Sequence, residues 1–448
     1  MGDKSNRRDF IKKITAAGVG LSVAPFNILH ARDDNHTAQI GVIGMGARGS
    51  GHLRGLLSRS DVEVPAICDV DPKNAERGVQ IAKEVGREAP ELYTKGETDY
   101  KRLIARDDLD GVIIATPWLW HVPMAVDAMK AEKYVGLEVP AAVSIDGCWD
   151  LVNTSEETGI PCMLLENVCY RRDVMAILNM VRQGLFGELI HARCGYQHNL
   201  IPYLFDKDAN FGPGTGSVSS WRTEHYVNRN GDLYPTHGIG PVAHWMDINR
   251  GNRFVNLTAT ATKARGLHEH IVDTGGKDHP KADVEFTQGD IVTSTITTAN
   301  GESIIVTHDT SLPRPYSLGF RCQGTNGIWS VENNSIYLDG ISPEFDEWES
   351  FDKYQDKYDS SLWKKQEKEA AESGHGGIDY FVRNAFVESI KRGVNTPIDV
   401  YDAAAWSVIS PLSEMSVAQG GHPVDFPDFT DGQWMTNEQI FKPEEMGY

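Results

Sequence analysis

From about residue 37 to residue 166, short apolar runs alternate with stretches of helical period. Strands are predicted near 39–44, 62–68, 111–115, 134–138 and 161–165, and helices near 48–58, 72–86, 121–131 and 145–158. Strands apolar on both faces and joined by helices specify a parallel sheet covered on each side. After Asn167 the period changes. A helix near 172–184 is followed by β-branched segments at 188–197, 254–264, 290–299, 302–309, 318–323 and 327–338 without helices between them, so a mostly antiparallel open sheet is expected. The intervening stretch 199–235 is rich in Gly, Asn and aromatics, and irregular segments of that length inside compact domains usually bind something. Helices return near 361–372, 377–392 and 400–418, and one of them is expected to pack back on the first sheet. The fold class is therefore α/β: an N-terminal doubly wound parallel sheet over 37–166, then an α+β domain over 167–448, behind a leader at 1–36. For 448 residues two cores are the natural division.

The first strand runs into Gly44-Met45-Gly46-Ala47-Arg48-Gly49, a dinucleotide-binding fingerprint. Gly44 permits the tight turn, Gly46 lets the backbone approach a pyrophosphate, and Gly49 lets the helix pack close to the sheet. The N–H groups of the helix start, from Ala47 and Arg48 onward, face the phosphate oxygens. The second strand ends in Asp69, at the spacing of the acid that accepts hydrogen bonds from the adenosine ribose hydroxyls. This domain then reads as a Rossmann fold. Asp69 would repel a 2′-phosphate, so NAD is expected over NADP, with Arg48 the nearby residue that argues the other way.

The formal charge of −20 disfavours nucleic acid or an anionic membrane surface as partner. Six scattered cysteines form no CxxC, and buried free thiols are the simpler reading, although an oxidising compartment would permit a Cys162–Cys169 bridge. Ser5-Asn6-Arg7-Arg8-Asp9-Phe10, followed by a short mild apolar stretch, reads as a twin-arginine export signal and not as an anchor. An exported, periplasmic or otherwise extracytoplasmic protein is expected, without membrane insertion.

Thr116-Pro117 with His121, and Glu138-Val139-Pro140 at the end of a strand, resemble the glucose-fructose oxidoreductase and inositol dehydrogenase family, whose NAD(P) domain is followed by an open-sheet substrate domain. That family usually has lysine where this chain has Val139, so an ordinary dehydrogenase of this kind would lack its acid/base group. Trp118-Leu119-Trp120-His121, Glu166-Asn167-Val168-Cys169-Tyr170-Arg171-Arg172-Asp173, Tyr234-Pro235-Thr236-His237-Gly238 and Asp309 to Tyr316 are similar to the NAD-dependent α-N-acetylgalactosaminidases, glycoside hydrolase family 109. The resemblance covers nearly the whole chain after the leader. It implies hydrolysis by a redox detour: NAD oxidises the sugar at C3, the acidified C2 proton is removed, the glycosidic oxygen is eliminated, water adds at C1, and the hydride returns. Two carboxylates flanking the bond, as in ordinary glycosidases, are then unnecessary.

The same resemblance assigns residues. His237 is expected to take and return the C3 hydroxyl proton, an ordinary role for imidazole; without the resemblance it reads as a structural histidine in a Tyr-Pro turn. Tyr234 and Tyr316 fall on positions that touch the sugar and assist at C2 or at the leaving oxygen. Tyr196 and Arg222 are expected to bind substrate, Arg222 by donating to the acetamido carbonyl or to hydroxyls. Trp118, Leu119, Trp120, His121, Glu138, Val139, Asn167 and His237 are expected around the cofactor. His244, His308 with Asp309, and His375 show no metal-ligand spacing, and no metal is expected. The partners implied are a glycan ending in N-acetylgalactosamine, the twin-arginine translocase, and a second copy of the chain across the open sheet. The competing readings are an exported NAD(P)-dependent sugar or polyol dehydrogenase and a cofactor-holding sugar-binding protein.

Overall fold

β1 (Ala38–Ile43) is buried at every residue except Gln39, which is what a central strand between two helical layers requires. The computed structural model describes residues 36–442, so the leader and its paired arginines lie outside them apart from His36. The chain continues through α1 (Ala47–Leu57), β2 (Val62–Glu63), β3 (Ala66–Cys68), α2 (Pro72–Glu84), β4 (Glu91–Tyr93), α3 (Tyr100–Ile104), β5 (Gly111–Ile114), α4 (His121–Lys130), β6 (Tyr134–Leu137), α5 (Ile145–Thr158) and β7 (Cys162–Leu164). All pairings are parallel, in the order β4-β3-β1-β5-β6-β7, with β2 beside β1. The strand expected over 62–68 is split where Pro65 removes a ladder donor. Capping is local and legible: Asp71 accepts from Lys73 N–H ahead of Pro72, and Ser144 accepts from Gly147 N–H at the start of α5.

The second part holds α6 (Arg172–Arg182), β8 (Leu189–Gln197), α7 (Ile201–Leu204), α8 (Arg222–Asn228), α9 (Thr236–Trp245), β9 (Phe254–Ala261), α10 (Gly266–Gly275), β10 (Ile291–Thr298), β11 (Ser303–Asp309), β12 (Arg321–Gly324), β13 (Gly327–Ser330), β14 (Ser335–Leu338) and β15 (Glu349–Ser350). Then come α11 (Asp352–Tyr358), α12 (Ser361–Ala371), α13 (Ile378–Arg392), α14 (Val400–Ser407), α15 (Ile409–Ala418) and β16 (Val424–Asp425). The sheet order is β15-β14-β13-β12-β8-β11-β10-β9-β16, antiparallel except for β8 against β11. The segment expected as one strand over 327–338 is the β13–β14 hairpin.

Three elements decide where the site lies. α9 packs on β8 and α6, although Gly238, Gly240 and Pro241 make it a poor helix by propensity; near-complete burial stabilises it instead. α13 returns to the first sheet, with Arg59 paired to Glu388 at 2.6 Å and Lys391 to Asp61 at 2.5 Å. α14 packs on α5 and β7. The junction of the two sheets is thereby closed from both sides. All six cysteines are buried and unbridged.

Candidate active site

The fingerprint glycines divide their work as their spacing predicts. Gly44 adopts φ +91°, and a Cβ there would lie 2.6 Å from Ala115 O. A Cβ on Gly49 would lie 1.7 Å from Gly44 O, so only glycine lets α1 seat against the turn. A Cβ on Gly46 would meet nothing within 4 Å, which leaves that position open to a ligand. Gly46 caps α1 with no side-chain acceptor and no acid follows in the first turn, where Ala47 is exposed, so the helix start suits an anion. Asp69 accepts from Met45 N–H at 2.6 Å and from Asp71 N–H at 2.8 Å, which fixes the carboxylate at the strand end where a ribose would sit. These residues fit a dinucleotide.

Arg48 does not turn toward Asp69. Its guanidinium bonds Glu138 through Nε at 2.8 Å and Nη2 at 2.7 Å, and Asp379 through Nη1 at 2.9 Å. Glu138 also pairs with His52 at 2.6 Å; burial opposes its charge, but Arg48 and His52 outweigh that and hold the carboxyl below its ordinary range. Val139, where the resembling dehydrogenases have lysine, is buried and apolar. His121 is also buried, its ring nitrogens 2.8 Å from the carbonyls of Pro140 and Thr116, so it clamps the ends of β5 and β6 together. Leu119 is exposed and Trp120 partly buried. Asn167 is buried and donates to Asp379 at 2.6 Å, while its own Oδ1 has no partner among the described residues.

Across the junction, four of the residues expected at the sugar form one cluster. Tyr196, Tyr234 and His237 pack mutually, with ring centroids 4.8 to 5.3 Å apart. Arg222 lies 4.5 Å from the Tyr234 ring centroid and 4.8 Å from that of Trp118, the geometry of a cation between two aromatic faces. Its Nε and Nη2 are buried with no hydrogen-bond partner among the described residues, so these donors suit the acceptor atoms of a ligand. Burial pushes the Tyr196 and Tyr234 phenols above their ordinary range, so both remain protonated donors at neutral pH. Tyr316 is half exposed at the rim and stacks edge-on against His198.

Sequence reasoning missed two carboxylate partners. Glu166, fully buried after β7, accepts from His237 at 2.7 Å and from Val168 N–H at 3.0 Å. Nδ1–H is therefore spent on the carboxylate and Nε2 is the free acceptor. Asp379, four residues after His375 at the start of α13, accepts from His375 Nδ1 at 2.8 Å. His237, His375, Asn167 and Tyr316 all line one cavity of about 560 Å³, so two histidine–carboxylate pairs open on the same space. The signal for the second was in the sequence, as Gly374-His375-Gly376-Gly377 with an acid at i+4. The other histidines weighed as ligands lie elsewhere: His244 stacks on Phe441 and His308 is buried beside Tyr226. Among the described residues no group of three or more His, Cys, Asp or Glu is arranged for a metal ion.

Comparison with known proteins matches two stretches of the chain. Residues 38–165 match the oxidoreductase family with an NAD-binding Rossmann fold, and residues 170–436 match the C-terminal domain of glycosyl hydrolase 109. An alpha-N-acetylgalactosaminidase of Tannerella forsythia is 48% identical, covering 98% of this chain and 99% of its own. A glycosyl hydrolase family 109 protein of Stenotrophomonas maltophilia is 50% identical over 97% of this chain and 98% of its own. Among solved structures, levoglucosan dehydrogenase in complex with NADH and L-sorbose superimposes with TM-score 0.64 at 20% identity, covering 88% of this chain and 100% of that one. An apo scyllo-inositol dehydrogenase from Lactobacillus casei gives 0.60 at 15% identity, covering 87% and 98%. These last two likenesses are of fold.

Proposed function

This chain belongs to glycosyl hydrolase family 109, an NAD-binding glycosidase, and we propose that it releases terminal α-linked N-acetylgalactosamine by a transient oxidation at C3 of the sugar. The observation that carries the reading is the placement of two histidine–carboxylate pairs on one cavity, the second of them tied through Asp379 to Arg48 of the dinucleotide fingerprint, in a chain where Val139 replaces the usual lysine. A dinucleotide held by the Gly44, Gly46 and Gly49 turn and by Asp69 would supply reversible two-electron chemistry at C3 of the sugar. His237, with Nδ1–H held by Glu166, accepts the C3 hydroxyl proton at Nε2 and later returns it. His375, backed by Asp379 and 60% exposed, is placed to take the C2 proton and to protonate the departing glycosidic oxygen. Arg222, Tyr196 and Tyr234 orient the sugar, Arg222 by offering its unpartnered N–H groups to the acetamido carbonyl. Water then adds at C1, the C2 proton is restored, and no net oxidation remains.

The paired arginines of the leader complete the proposal: the folded chain leaves the cytoplasm with its dinucleotide already bound, and a cycle that restores NAD in each turnover needs no external oxidant. Incubation with p-nitrophenyl α-N-acetylgalactosaminide should release nitrophenol without accumulating NADH, and deuterium at C2 should wash into solvent. NADH growing in step with product would identify a dehydrogenase instead. Retention of the C2 label would exclude the elimination.

A further inference from the structure

Arg48 occupies a position in the fingerprint that ordinarily serves the dinucleotide, yet its side chain leaves that loop and crosses to the start of α13. There the Asp379 carboxylate is a hub. Oδ2 accepts from Arg48 at 2.9 Å and from His375 at 2.8 Å, and Oδ1 accepts from Asn167 at 2.6 Å. The three donors come from the dinucleotide loop, the segment after β7 and the glycine-rich loop.

The loop carrying His375 depends on this hub. His375 has φ +53°, a left-handed conformation that is costly for a non-glycine residue unless its surroundings hold it. Gly374 must approach so closely that a Cβ would lie 2.6 Å from Asp379 Oδ2. Arg383, on the next turn of α13, donates to Ser373 at 2.6 Å and fixes the other end of the loop. Asp379 is buried; burial opposes its ionisation, but the His375 hydrogen bond and the Arg48 charge hold the carboxyl below its ordinary range.

We propose that Arg48 is a positioning residue: its guanidinium fixes the Asp379 carboxylate and, through it, the ring of His375, so that the dinucleotide loop and the loop bearing the second proton carrier are set by one shared ion-pair cluster. The proposal rests on the assignment of His375 made above. It gives the fingerprint arginine a task distinct from choosing between NAD and NADP. It also makes occupancy of the dinucleotide loop felt at His375 by way of Arg48.

The test uses full-length protein and the variants Arg48→Met, Arg48→Lys, Asp379→Asn and the Arg48→Met/Asp379→Asn double. Arg48→Met should keep its dinucleotide and lose about 100-fold in kcat with KM changed less than about threefold, and Arg48→Lys should recover about tenfold of that loss. The double variant should be no worse than the poorer single, because both changes break one chain of contacts. Hydrogen exchange gives a readout independent of turnover: returning NAD to protein stripped of its dinucleotide should slow exchange of the 373–377 amides in the natural protein and not in Arg48→Met or, should that variant fail to fold, in Arg48→Lys to a lesser degree. Loss of activity in proportion to loss of bound NAD, multiplicative effects in the double, or equal NAD protection in the natural protein and the variants would overturn the proposal. Absence of nitrophenol release by the natural protein would remove the chemistry assigned to His375 and leave the exchange comparison to decide the coupling.

Discussion

Glu166 Oε1 stands 2.7 Å from His237 Nδ1, and the two residues come from opposite sides of the junction, one following the last strand of the parallel sheet and the other in the first turn of α9. Each needs the other. A carboxylate with no exposed surface is costly without a donor, and the imidazole points Nε2 into the cavity only while Nδ1–H is held. Glu166→Gln should therefore fold and bind dinucleotide but lose about 100-fold in kcat, with KM little changed. Steady-state kinetics beside a bound-NAD assay will separate this from a loss of cofactor.

Arg222 Nε and Nη2 are buried with no hydrogen-bond partner among the described residues, while the guanidinium lies against the Trp118 and Tyr234 rings. Arg222→Met should raise KM about tenfold or more while the melting temperature of the ligand-free protein changes little, since the lost contact with two aromatic faces is offset by relief of a buried, incompletely hydrogen-bonded cation. A fall in melting temperature without a change in KM would assign Arg222 to the fold.

The fingerprint glycines can be told apart by alanine. Gly49→Ala places a methyl group on Gly44 O and should cost about 3 kcal/mol of stability, read in a denaturant titration. Gly46→Ala meets open space among the described residues, so it should melt like the natural protein stripped of dinucleotide and be purified without one.

Asp232, fully buried two residues before Tyr234, accepts that residue's N–H through Oδ1 and has no partner at Oδ2 among the described residues. Burial raises its pKa from 3.8 to about 7. The folded state therefore binds a proton that the unfolded state has released, and this group's contribution to stability is full below about pH 4, falls as pH rises to 7, and is level beyond. Asp232→Asn should remove that slope and gain on the order of 4 kcal/mol above pH 7. Denaturant midpoints at pH 5 and pH 8 will measure it.

The parts of this architecture that depend on local chemistry were legible. Gly44, Gly46, Gly49 and Asp69 announce their roles through spacing alone, and Asp71-Pro72 marks the start of α2. Parts that depend on contacts between distant segments were not. Nothing near Glu166 signals that it meets His237, 71 positions later. α9 was invisible because Gly238, Gly240 and Pro241 argue against a helix, and burial against β8 overrides them. Arg48 was read as a residue choosing between two dinucleotides, because its partner Asp379 lies 331 positions away.

The return of α13 has a consequence for the order in which the molecule is made. Arg59 and Glu388, which bind that helix to the first sheet, are 329 positions apart along the chain. A ribosome exposes the fingerprint loop and every strand of the parallel sheet long before it makes the helix that covers them. The nascent domain thus has a legible dinucleotide loop with a bare flank, and Asp379 has not yet been made. Secure capture of the cofactor is a late event in biosynthesis, completed when α13 folds back on the first sheet.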